Sequence, residues 1–551
     1  MMQCDAPNSA TDSQPLSPPT PAECTEQDHH SLMRPSGSCS SRDDSCLSES
    51  ANVGAPSPWS PTGIWYRDIL HFVGPGWFVS IAYVDPGNYQ ADIQAGALSR
   101  YSLLCVVWWT SILSIYVQVL CVRLGYRSGM TLAEAQARYA PSDAGRYVAW
   151  ALAELSTVIT DLPEVIGFGI ACRIFFGWPY YVGVLLSLIT TMLFLVTLNY
   201  SVRVLEGIVA AFVGIMGVAL FVEMDFVGPD YGEFMEGWVG GFKDLRREDI
   251  FQITGVVGAV VMPHNLYLHT AACQSRKVER PHVDLAVRYS SIEAVPPIVL
   301  SFFVNAAVVA IAAETVYDGT GINGNVADVG LTDFCDYFRR LAAGCSLWAV
   351  ALLAAGQSSA ITTTYTGQYV MDGFLNINMP IRTRAIMTRL VAIAPCVVVA
   401  AAYPDNLNRM VNIVNSSLAF LLPFAFTPLV VFNCSEKVMG RGKSSTGVEK
   451  VCLYLFAVAV YAVNALGLSM VGGGFFGDMR ATTKHGFGRN AITATEVFIQ
   501  VFYAWWNWSC VRNGPGDIIA GEADSGAIGL TAVRDCEEVD SAEDPELREI
   551  I

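Results

Sequence analysis

A chain of 551 residues that is 52% hydrophobic and only 15% charged cannot be a soluble protein of ordinary make-up, where about a quarter of residues are charged. Its mean hydropathy of +0.39, with 27 Phe, 22 Tyr and 12 Trp, points to an all-α polytopic membrane protein. The net charge of −17 sits mostly in the ends. Residues 1–60 hold eight acids against Arg34 and Arg42, a balance of −6; residues 512–551 hold eleven against Arg512, Arg534 and Arg548, a balance of −8. No basic face is left for nucleic acid.

The chain opens with a tail, 1–60, rich in Ser, Pro and Asp and poor in aliphatic residues. It cannot bury enough apolar surface to offset ordering entropy, so a disordered acidic cytosolic tail is expected. No apolar core follows Met1, so no signal peptide is expected. A transmembrane domain over 65–511 follows, with spans near 69–98, 101–122, 147–172, 178–199, 204–223, 250–273, 295–316, 346–370, 386–402, 406–433, 450–472 and 490–511. Residues 512–551 form a second acidic tail, whose end (546–551) loosely resembles an acidic dileucine sorting signal. Lys and Arg are in excess in the loops after even-numbered spans, which puts both termini in the cytosol. The fifteen Cys show no zinc spacing; Cys335 and Cys345 share one predicted loop, which allows a disulfide if that loop faces an oxidising side.

Two spans contain residues that a plain membrane helix avoids. The first reads Gly74-Pro75-Gly76-Trp77 and then Ala82-Tyr83-Val84-Asp85-Pro86-Gly87-Asn88; the sixth reads Ala259-Val260-Val261-Met262-Pro263-His264-Asn265. A mid-span proline removes a backbone donor and opens the helix. Carbonyls freed at membrane depth survive only where they line a cavity or coordinate something. Two proline-interrupted spans five helices apart are the mark of an inverted-repeat transporter with its site between the broken helices.

The donor atoms suggest the cargo. Asp85 offers a carboxylate, Asn88 an amide oxygen, the opened turns the carbonyls of Ala82 and Ala259, and Met262 a thioether. Oxygen alone would suit Mg²⁺ or Ca²⁺; a soft sulfur beside it favours divalent transition metals such as Mn²⁺ and Fe²⁺. The third span carries Glu154, Thr160, Asp161 and Glu164 in an apolar helix, with Asp161 and Glu164 on one face. Acids buried in lipid should turn inward and mark a relay, although Glu154 reads equally well as a structural, hydrogen-bonded acid. His264, beside the break, could ligate metal or carry protons; His269 lies on a different face.

These stretches are recognisable. GPGWFVSIAYVDPGNYQADIQAGA (74–97) and MPHN (262–265) resemble the first and sixth helices of the Nramp family of proton-coupled metal transporters. RLGYRSGMTLAEAQARY (123–139), TDLPEVIG (160–167), AAGQSSAITTTYTGQYVMDGF (354–374) and LLPFAFTPL (421–429) are similar to further motifs of the family, and the resemblance covers roughly 65–470. It implies a LeuT-like fold, with helices 1–5 and 6–10 as inverted repeats, two further helices, and helices 1 and 6 broken. It also implies metal binding by Asp85, Asn88 and Met262 through side chains and by Ala82 and Ala259 through backbone oxygens. Where the family has a glutamine in the tenth helix this chain has Asn415, shorter by a methylene, and Leu421 replaces another polar position. The implied proton pathway runs from Asp85 through His264 to Glu164 and Asp161, with Glu154 on the same helix and Arg389 and Arg276 at matching basic positions.

The expected activity is therefore secondary active transport of Mn²⁺ or Fe²⁺ with protons, both as cargo, with no cofactor. The expected location is the plasma membrane or an endosomal, lysosomal or vacuolar membrane. A metal-selective channel or a metal-sensing membrane receptor is the alternative. An intramembrane metallohydrolase would need several strong ligands and a general base, and no HExxH, nucleophile elbow or phosphate-binding loop stands in a suitable context.

Overall fold

A computed structural model describes residues 58–197, 214, 217–317, 329–337, 344–377, 380–469, 475–483 and 486–515. Residues 1–57 and 516–551 of the acidic tails, the 546–551 motif and most of the fifth predicted span lie outside the described residues; Trp59, within the stretch expected to be disordered, is instead buried and paired. Within the described residues the chain is helical, and the one extended pairing is a bridge between Trp59 and Val278.

The expected spans appear as Leu104–Ser128, Asp143–Phe176, Tyr180–Thr197, Val295–Thr315, Gly344–Leu375, Ile381–Ala402, Leu407–Asn433, Gly447–Ser469 and Gly486–Arg512, with the first and sixth in pieces. The first is Pro75–Ser80, a 3₁₀ turn Ile81–Val84, and Pro86–Ser99; the sixth is Ile250–Val260 and Pro263–Gln274. Each break therefore falls at the proline expected to cause it. This is the LeuT-like inverted-repeat arrangement, with the interrupted helix opening each repeat and the last two spans at the periphery.

The first span does not start at 69. A separate helix, Trp65–Phe72, comes before it, and Gly74 at φ 147° turns the chain between the two. That conformation is open to glycine and strained for other residues. Trp65, Tyr66 and Leu70 are exposed on the short helix while Phe72 is buried, as in a helix lying along a membrane interface. Further short helices carry too few apolar residues to read as spans, among them two next to the core. Leu132–Arg138 starts with a capping box between Thr131 and Glu134, and Val283–Glu293 precedes the seventh span.

Two contacts are close enough to fuse neighbouring helices. A Cβ on Gly258, in the first piece of the sixth span, would stand 1.9 Å from the Asn415 carbonyl oxygen; one on Gly96, in the second piece of the first, would stand 2.4 Å from that of Val309. Ile250–Val260 is thus seated on the tenth span and Pro86–Ser99 on the seventh, backbone against backbone, as small residues permit in membrane packing. The third span packs along the eighth. The last two spans instead turn Val451, Leu455, Val458, Val497, Phe498 and Val501 outward, a surface stable only in lipid. Cys335 and Cys345 form a disulfide, with Cα atoms 4.7 Å apart, in the loop where one was expected.

Candidate metal centre

The geometry begins with the two prolines. Pro86 and Pro263 occupy the positions whose N–H groups would have bonded the carbonyls of Ala82 and Ala259 in a continuous helix. Ala82 and Ala259 are both buried, so those oxygens face the interior without their helical donors. Asp85 N-caps the second piece of the first span, where Pro86 fits the first helical position. Its carboxylate accepts the Asn88 backbone N–H at 2.7 Å and the Asn88 side-chain amide at 2.8 Å. The same amide nitrogen reaches the Ala82 carbonyl at 3.2 Å, leaving Asn88 Oδ1 buried and unpaired.

Met262 holds the equivalent place in the sixth span. Its φ of −67° and ψ of 128° are non-helical, it is buried, and the helix resumes at Pro263. From the tenth span, Asn415 donates its side-chain amide to the Gly87 carbonyl at 2.8 Å, and its Oδ1 is left buried without a partner. A Cβ placed on Gly87 would meet Asn415 Oδ1 at 3.0 Å and Asp85 Oδ2 at 3.4 Å, so glycine leaves the space between those two oxygens open. Shorter than glutamine, Asn415 nonetheless brings its oxygen to the break.

Asp85, Asn88, Ala82, Met262, Ala259 and Asn415 are all at most 1% exposed. Their donors are one carboxylate, two amide oxygens, carbonyls and a thioether. Among the described residues no three His, Cys, Asp or Glu gather into a conventional metal cluster. The set suits a divalent ion that accepts mixed oxygen and sulfur ligands.

Beside the break lies a second polar layer. His264 Nδ1 is 3.2 Å from the Thr160 hydroxyl, and its Nε2 is buried and unpaired. One turn along the third span, Arg389 is 1% exposed and places its guanidinium 3.2 Å from Glu164 and 3.5 Å from Asp161. Asp161 also accepts the Thr363 hydroxyl of the eighth span, and Glu164 Oε1 is unpaired. Glu154 stands on the N-terminal side of Thr160, each carboxylate oxygen 2.7 Å from Arg384. His264, Asp161, Glu164 and Arg389 therefore form one layer and Glu154 an ion pair at its edge. Arg276 is not part of it: its guanidinium donates to the Val73 carbonyl at 2.8 Å, at the start of the first span.

Some polar residues of this region were not singled out in the sequence. Asn305 donates to the Tyr83 carbonyl at 3.2 Å, and its buried Oδ1 is unpaired. The Tyr83 hydroxyl lies 2.5 Å from Ser114 and accepts from Gln118 at 2.8 Å, while the Gln118 oxygen is 2.7 Å from His269 Nδ1. A lone Asn in the apolar run 295–316 was the available signal. Leu421, at the other position where the family is polar, belongs to the apolar core.

Comparison with known proteins fits this geometry. Residues 76–469 match the family model described as natural resistance-associated macrophage protein-like, Nramp. The chain belongs to the Nramp family. It is 34% identical over 425 residues to the metal transporter nramp1 homolog of Dictyostelium discoideum, covering 75% of this chain and 77% of that protein. It is 33% identical over 416 residues to the divalent metal cation transporter MntH of Bradyrhizobium diazoefficiens, covering 74% and 92%. Among solved structures, the Eremococcus coleocola manganese transporter aligns with a TM-score of 0.73 at 25% identity, over 84% of this chain and 98% of that one. These relatives are named as transporters, not enzymes.

The layer around Arg389 yields a stability test. Arg389→Leu leaves Asp161 and Glu164 buried without their cation and should destabilise the protein by about 3–5 kcal/mol. Adding Asp161→Asn and Glu164→Gln should restore much of the loss in detergent melting curves. A melting temperature unchanged by Arg389→Leu would show that the two acids do not depend on this guanidinium.

Proposed function

We propose that this chain is a secondary active transporter that moves Mn²⁺ and Fe²⁺ together with protons by alternating access, with both termini in the cytosol. The observation that carries the reading is the gathering of buried donor atoms at two proline breaks, two of them amide oxygens with no partner. Buried polar atoms without partners are costly and native proteins rarely keep them without a use. Asn88 Oδ1 and Asn415 Oδ1 are two such atoms, beside the sole carboxylate of the set. Asp85 supplies the charge that draws a divalent ion out of water. Met262 supplies the soft ligand that favours transition metals over the more abundant hard cations.

Occlusion favours a carrier over a channel. A pore would keep its ligands in contact with water on one side at least, whereas every ligand here is closed off. The site can then exchange with either face only if one half of the broken helices moves. Protons need a path that does not pass through the metal. His264 begins it next to Met262, and the Asp161, Glu164 and Arg389 layer continues it along the third span. The Glu154–Arg384 pair lies on the same helix, on the N-terminal side of Thr160.

Reconstitution in liposomes loaded with a metal-sensitive and a pH-sensitive dye tests the reading directly. Wild-type protein should give saturable Mn²⁺ entry accompanied by acidification. Asp85→Ala should remove metal entry from a protein that still folds; near-normal Mn²⁺ uptake by it would overturn the site.

Met262→Ala should lower discrimination against Ca²⁺ and Mg²⁺ more than it lowers Mn²⁺ uptake, because an all-oxygen site tolerates hard cations. Unchanged selectivity in competition assays would reduce Met262 to packing.

Glu164→Gln keeps shape and hydrogen bonding but removes a titratable proton. The variant should bind Mn²⁺ yet show weaker proton entry and a flatter pH dependence of uptake. Lost metal binding with the pH dependence intact would move Glu164 into the metal site.

A further inference from the structure

The inner half of the first span is held at its tip by one side chain. Glu293, at the end of the helix Val283–Glu293, turns its carboxylate onto the backbone where the span begins. Oε1 accepts the N–H of Gly74 at 3.0 Å and of Trp77 at 3.2 Å, and Oε2 accepts that of Gly76 at 3.0 Å. Residue 75 is proline and has no N–H, so every donor from 74 to 77 is spent on this one carboxylate. Glu293 is 3% exposed, which strengthens bonds to a charged acceptor. The approach is close: a Cβ on Gly76 would lie 2.5 Å from Glu293 Oε2 and 2.8 Å from Ala294 Cα.

The chain just before this point is tied to the same region. Arg276 holds the Val73 carbonyl at 2.8 Å and interacts electrostatically with Glu293. Trp59 pairs by backbone with Lys277 and Glu279 and packs on Phe72 and Tyr289. Gly76 also approaches the Ala294 backbone, so the tip of the span is seated on the junction after Val283–Glu293, and the three hydrogen bonds to Glu293 fix it there.

We propose that Glu293 is a positioning residue of the transport cycle: its carboxylate latches the inner half of the first span shut, and its release opens the metal centre towards the cytosol. This rests on the alternating-access reading above. The three N–H donors and the carboxylate exchange each other for water when the latch opens, so the two states differ by a swap of hydrogen bonds rather than by unfolding. Glutamine at 293 keeps the size of the side chain but has one acceptor oxygen, and its NH₂ group faces a backbone donor. It should therefore favour the open state.

Hydrogen–deuterium exchange on the full-length protein in lipid nanodiscs, without metal, tests the latch. In Glu293→Gln, amides 74–84 should exchange at least about tenfold faster than in the wild type, while 263–274 and 344–375 keep their protection. In vesicles the same variant should raise the KM for externally supplied Mn²⁺ several-fold, because fewer molecules face outward. Glu293→Asp should lie between the two proteins in both readouts. Glu293→Asp, whose shorter side chain reaches fewer of the three donors, also serves if Glu293→Gln does not fold. Unchanged exchange over 74–84, or exchange raised equally in all spans, would overturn the latch. The exchange measurement needs no transport, so a wild-type protein that moves no Mn²⁺ would instead overturn the transport reading.

Discussion

A backbone carbonyl that has lost its donor cannot be left in a membrane without a partner. Pro86 and Pro263 impose that condition twice, on Ala82 and Ala259, and the rest of the centre follows from it. Asp85 and Met262 occupy the opened turns because an N-cap and a non-helical residue are what restarting a helix requires. Asn88 bends back over Asp85, and Asn415 reaches across from the tenth span to the Gly87 carbonyl. The polar atoms left over from this local repair are the ones free to bind an ion.

The Arg389 layer answers a different problem with the same economy. Two acids on one helical face within the membrane need a cation, and one guanidinium lies between them. Because Arg389 comes from the ninth span and the Thr363 hydroxyl from the eighth, the layer also fastens three helices together. Deleting the arginine therefore unfastens the helices as well as exposing the acids. Conservative changes at the acids, which preserve the hydrogen bonds, are the informative ones.

Much of this was legible in the sequence, for identifiable reasons. Mid-span prolines flanked by Asp85, Asn88 and Met262 are local signals, and apolar runs of span length need no tertiary knowledge. The third-span acids stood out because charge in an apolar helix is rare. What stayed hidden depended on neighbours distant in sequence. Glu293 sits near a helix junction and looks like an ordinary boundary acid until Gly74, Gly76 and Trp77 are seen against it, more than two hundred residues away. Arg276 matches a basic position of the family's relay, yet its guanidinium turns to Val73. The first span starts later than expected because the apolar end of the preceding helix, Ile69 to Phe72, reads as its continuation, and only the turn at Gly74 separates the two helices.

The glycine contacts at Gly96 and Gly258 have a mechanical consequence. Where two backbones touch with no side chain between them, no soft layer is available to absorb sliding, so each pair behaves as a single stiff beam. The second piece of the first span with the seventh, and the first piece of the sixth with the tenth, are two such beams. Gly76 against the Ala294 backbone is a further close approach, so bending falls in the stretches between these contacts.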